Sequence, residues 1–135
     1  MNIGNQRAIR LFAKYTIVMT VIHFLLETLY TIQFEQHWLG LIPDYIANFL
    51  MLMGAFLVFK NVKAVGALCG AWGFSFCLNY RSWAWRLEEF LQGISSVLID
   101  NTMYVLSFTL IISFVSFIIS LWFCLPPEII GKRKE

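Results

Sequence analysis

His23 and Glu27 stand one helical turn apart inside a long apolar run. Side chains four residues apart on a helix share a face and can act on one bound group. Such a pair could orient a polar ligand, exchange a proton for a cation, or perform acid–base chemistry on a lipid-like substrate. An ionised carboxylate at the centre of a bilayer costs at least about 2.5–3.5 kcal/mol on insertion scales. Glu27 is therefore expected to turn towards partners or a wet cavity inside the protein. Thr16, Thr20 and Tyr30 continue the same face at intervals of three and four residues.

Other apolar segments supply polar side chains at a similar depth. Asn48 lies one turn inside the second segment, with Asp44 above it at the boundary. Ser75 and Asn79 share a face of the third with Trp72, and extending that face reaches Ser82 and Arg86. Tyr104 lies one turn inside the fourth, after Asp100. The expected ligand-binding layer is thus Glu27, His23, Tyr30, Asn48, Asn79, Arg86 and Tyr104, arranged as a polar pocket opening outward. His23 and Glu27 are the candidates for any catalysis. The alternative is a set of interhelical hydrogen bonds that fixes register, each worth on average about 0.6 kcal/mol.

These residues need four membrane-spanning helices to position them. The 135 residues are 59% hydrophobic and 13% charged, with a mean hydropathy of +0.71. A water-soluble domain of this size could not hide so much apolar surface. Spans of about 20 apolar residues are read at about 11–32, 44–59, 64–80 and 101–125. Pro43 suits a first turn, and Pro126 and Pro127 stop the last helix. The second and third spans are short and are expected to borrow length from their flanks. The expectation is a single all-α domain, a four-transmembrane-helix bundle.

Orientation follows from lysine and arginine. Arg7, Arg10, Lys14, Lys60, Lys63, Lys132, Arg133 and Lys134 share one side, against Arg81 and Arg86 on the other. Most acids, Glu35, Asp44, Glu88, Glu89 and Asp100, lie in or near the opposite loops. Both termini are expected in the cytoplasm of a multi-pass cell-membrane protein. The basic start resembles a signal peptide, but no small-x-small site follows and Glu27 interrupts the run, so the first span is read as uncleaved. Phe34 to Ile42, with Trp38, is expected at the headgroup level. In Ser82 to Leu98, Trp83, Leu87, Phe90, Leu91, Ile94 and Leu98 share one face, with Arg86, Glu89, Gln92 and Ser96 opposite. That spacing predicts an extracytoplasmic amphipathic helix lying in the interface between spans three and four.

Gly66, Gly70, Gly73 and Cys77 align small residues along span three. This face is expected to pack internally against span two across the Asn61-Val62 turn, with a homodimer seam as the alternative. Thr109, Ser113, Ser116 and Ser120 form a row on span four, read as helix packing before a polar path. Cys69, Cys77 and Cys124 lack metal or redox spacing and are read as apolar packing residues.

Three partial likenesses bear on function. The lone carboxylate in span one of a four-span chain looks like the small multidrug resistance transporters, which implies proton-coupled export through Glu27. The string His23-Phe24-Leu25-Leu26-Glu27 is similar to the His-x-x-x-Glu pair of sterol isomerases of the emopamil-binding class, which implies acid–base chemistry beside a sterol cavity. The tight turn between spans two and three, with a small-residue-rich span three, resembles the DoxX-like group in architecture, whose members are often accessory membrane subunits. The residues favour a binding or accessory module for an amphiphile, membrane lipid or membrane partner over an enzyme. Neither a phosphate-cradling G-x-x-x-x-G-K nor an H-E-x-x-H motif is present. No cofactor and no metal site are expected, since two histidines and scattered cysteines offer no histidine- or thiolate-rich ligand set. A net charge of +2 without a basic aromatic patch excludes nucleic acid.

Overall fold

A computed structural model describes residues 3–34, 37–94 and 97–125. Glu35, Ser96, the Pro126 and Pro127 stop and the tail with Lys132, Arg133 and Lys134 fall outside these residues, as do the side chains of Leu98 and Asp100. Helix α1 is Ile3–Gln33, α2 Ile42–Lys60, α3 Val65–Leu91 and α4 Val97–Cys124. Short 3-10 turns at Trp38–Leu41 and Val62–Ala64 precede α2 and α3. Among the described residues the chain is all-helical, with four helices long and apolar enough to cross a membrane. Their outward side chains fit that solvent: Leu25, Phe49, Phe56, Phe108 and Ile111 are exposed all round the perimeter.

The helices run alternately up and down, so one end carries the start of α1, the α2–α3 turn and the end of α4. This is called the terminal end, and the opposite one the far end. Pro43 sits in the first turn of α2, where its missing N–H has no helical partner to lose. The α2–α3 turn is closed by Asn61, whose Oδ1 accepts the Lys63 N–H at 3.0 Å. Helix α2 packs against α1 and α3, and α3 against α4. Between α1 and α4 the described contacts lie at the terminal end: Tyr15 Oη and Ser116 Oγ are 3.0 Å apart, and the Phe12 and Phe123 rings meet edge-on at 5.8 Å.

The terminal half holds the apolar core, built from Ile9, Ala13, Met51, Ala55, Val58 and Leu68 and roofed by Trp72. Several of its buried hydroxyls donate within their own helices. Thr16 and Thr20 donate to the Phe12 and Thr16 carbonyls, and Ser113 and Ser120 donate to those of Leu110 and Phe117. Ser113, Ser116 and Ser120 of the α4 row are buried.

Two expectations are corrected. Gly66 and Gly70 face open space, and Cys77 is exposed, so this face does not pack against α2. The close approach comes from α2 instead, where a Cβ on Gly54 would lie 3.1 Å from Leu68 Cα. Gly73 is covered by Phe117 of α4. Among the described residues no separate interfacial helix appears either: α3 continues unbroken to Leu91. The sequence from Tyr80 to Leu91 contains no glycine or proline to stop it. The break falls at Gly93, whose φ of 75° suits a residue without a side chain. At 27 residues, α3 is about 40 Å long and overreaches a hydrocarbon core of about 30 Å. Its charged end, with Arg81, Arg86 and Glu89, thus extends past an apolar stretch of that length while remaining part of the bundle wall.

Candidate functional site

The helical spacing of α1 sends His23, Glu27 and Tyr30 towards its neighbours in the far half. His23 Nδ1 meets Asn48 Oδ1 of α2 at 3.1 Å, and His23 Nε2 lies 3.7 Å from Glu27 Oε1. Their side chains are only 11% and 20% exposed, so Glu27 faces into the protein. Asp44, in the first turn of α2, completes the group: one ligand atom each from His23, Glu27 and Asp44 lie within 4.8 Å of one another. The antiparallel hairpin brings this about. Residues near the end of α1 and the start of α2 must lie at matching depth when a short connection joins the two helices.

Asn48 is 5% exposed, and its Nδ2 is the buried side-chain polar atom without a hydrogen-bond partner among the described residues. Leaving such an atom unpaired costs about 1–3 kcal/mol. Its other end holds the His23 ring.

Above this group, Arg86 of α3 crosses to α1. Its Nε donates to Tyr30 Oη at 2.8 Å, Nη2 donates to the same oxygen, and Nη1 donates to Glu89 Oε2. The guanidinium also stacks 4.8 Å over the Phe34 ring. The unbroken α3 makes this bridge possible, because it keeps Arg86 in the wall facing α1.

Asn79 is buried lower down. It lines a small interior space of about 30 Å³ with His23, Ser75, Thr109 and Ser113, room for about one water molecule. Tyr104 is corrected out of the layer, being 76% exposed on the perimeter. The inward stripe of α4 runs through Thr102, Leu106, Ser113, Ser116 and Ser120. Tyr104 is two residues from both Thr102 and Leu106, about 200° around the helix from that stripe.

Two larger cavities meet at Glu27. A chamber of about 180 Å³, as much apolar as polar in its lining, is bounded by Glu27, Tyr30, Asp44, Arg81, Trp85, Arg86 and Glu89. A cleft of about 300 Å³ lies between α1 and α4, with Leu26, Leu29, Val105 and Leu106 among its walls. Glu27, Tyr30 and Leu106 border both. Helices α1 and α4 touch at the terminal end and part here, leaving a slot in the side of the bundle.

Six of the seven expected site residues thus face the far interior, though in two tiers: His23 and Asn79 at the small space, and Glu27, Tyr30 and Arg86 around the chamber, with Asn48 bracing His23. Sequence reasoning placed Asp44 at the boundary and gave Arg81, Trp85 and Glu89 no part in the pocket. The missing signal was helix continuity past Arg81, legible in the absence of a breaker. No family model, curated protein or solved structure matches the chain.

Proposed function

We propose that this protein is a membrane-embedded binding module for an amphiphile. Its polar headgroup sits in the chamber beside Glu27, Tyr30 and Arg86, and its apolar part lies in the slot between α1 and α4. The observation that carries this reading is that a half-polar, charge-bearing chamber and a largely apolar cleft share Glu27, Tyr30 and Leu106 as a common border. A pocket with apolar walls and a few convergent polar groups is the usual form of a small-molecule site. The combined volume, about 480 Å³ from 180 and 300 Å³, is within the usual range of about 300–1,000 Å³.

The slot gives a ligand from the bilayer a side entry without passage through water. Arg7, Arg10, Lys14, Lys60 and Lys63 gather at the terminal end, which supports a cytoplasmic location for it and a chamber on the opposite side of the cell membrane. No transport step or bond-breaking step is needed for this reading.

The test is purification in mild detergent from native membranes, followed by native mass spectrometry. One amphiphile per chain is expected to remain bound. Val105→Trp puts an indole into the slot from a position that is 45% exposed, so it should fold and lose the ligand. A wild-type chain that carries no amphiphile, or equal retention by Val105→Trp, overturns the reading. Recovery of a protein partner without any amphiphile would favour an accessory role instead.

A further inference from the structure

We propose that His23, Glu27 and Asp44 bind a divalent transition-metal cation where the chamber wall at Glu27 and Asp44 meets His23. Their ligand atoms already lie within 4.8 Å of one another. Metal–ligand bonds of about 2.0–2.2 Å put neighbouring ligands of a tetrahedral ion about 3.4 Å apart. Small side-chain adjustments close that gap without moving a helix.

The imidazole is arranged as a ligand. In the tautomer that donates Nδ1–H to Asn48 Oδ1 across the 3.1 Å contact, the Nε2 lone pair faces Glu27. A metal-bound histidine almost always donates its second N–H to a fixed acceptor in this way. Asn48 is buried in α2, outside the three-residue group, so it sets the ring from behind.

Charge supplies a separate argument. Glu27 and Asp44 bring two carboxylates together in a partly buried place, and a buried charge needs a partner. Among the described residues neither carboxylate has an arginine within ion-pair distance, although the charge of Arg81 acts on Asp44 through space. Arg86 is bonded to Tyr30 and Glu89, and Arg81, which also lines the chamber wall, stacks over the Trp85 ring at 4.7 Å. A divalent cation between the carboxylates would balance them. One imidazole and two carboxylates suit zinc or manganese(II), and the 180 Å³ chamber leaves room for water to complete the coordination.

This site stands apart from the amphiphile reading, although both use Glu27. The direct experiment adds Zn²⁺ or Mn²⁺ to the metal-stripped full chain in detergent. Stoichiometry is read by elemental analysis after dialysis, and Mn²⁺ coordination by electron paramagnetic resonance. One ion per chain is expected, with affinity at least tenfold weaker in both Asp44→Asn and His23→Gln. Glu88→Gln, an exposed acid at the same end, should bind as wild type does. Thermal melting with and without Zn²⁺ checks that each variant is folded, and only the wild type and Glu88→Gln should gain stability. Absence of stoichiometric binding, or binding unchanged in folded Asp44→Asn and His23→Gln, overturns the proposal. Val105→Trp separates the two readings, because it should lose the amphiphile and keep the ion.

Discussion

The indole N–H of Trp72 on α3 donates to Thr16 Oγ1 on α1 across a 3.0 Å gap. The Thr16 hydroxyl in turn donates to the Phe12 carbonyl, so it both accepts and donates. Trp72 is 2% exposed and stacks on Tyr15, the residue that reaches Ser116 of α4. This tie closes the terminal half beneath the site.

Trp72→Phe keeps most of the ring and removes the donor, and is expected to cost about 0.5–1.5 kcal/mol. Trp72→Ala also leaves a cavity and is expected to cost about 3–5 kcal/mol. Thermal melts in one detergent, compared across the two variants, check both the direction and the order.

Gly54 and Gly70 should respond in opposite senses. A methyl group on Gly54 meets the Leu68 backbone, which cannot yield as a side chain would, so Gly54→Ala should destabilise by about 1–3 kcal/mol. Gly70 faces open space, and Gly70→Ala should be neutral or stabilise by up to about 1 kcal/mol. Parallel melts of the two variants decide this, and a large loss from Gly70→Ala would point to a neighbour on that face.

Tyr30→Phe removes the acceptor shared by two Arg86 donors. Loss of about 1–3 kcal/mol is expected, because Arg86 is then left half-buried with Glu89 as its remaining partner. The effect should be local. Hydrogen exchange across residues 82–91 should quicken by tenfold or more, while the core around Met51 and Leu68 should not change.

The bundle was legible from hydropathy because each span is an apolar run with charged ends. The inward set on α1 was legible too, since Thr16, His23, Glu27 and Tyr30 obey helical spacing and lipid rejects such groups. Tyr104 was misplaced because depth alone assigned it, while its angle about α4 points to the perimeter. The Gly66 and Gly70 face was misread because small residues permit close approach without requiring it. Arg81 marked an apparent end of span three by hydropathy, but backbone hydrogen bonding continues wherever no residue interrupts it. That continuation carries Arg86 to Tyr30, and so decides the shape of the chamber.

The account depends above all on Glu27 opening onto a wet chamber, and cysteine accessibility along α1 measures this directly. In a background lacking Cys69, Cys77 and Cys124, single cysteines replace Glu27, Thr31, Leu25 and Ile32 in turn. Thr31 borders the chamber with Glu27, whereas Leu25 and Ile32 are exposed on the outer perimeter. A water-soluble thiol reagent, applied to protein in native membranes, should label Glu27→Cys and Thr31→Cys rapidly and Leu25→Cys and Ile32→Cys slowly. Labelling of Glu27→Cys as slow as that of Leu25→Cys would contradict the account.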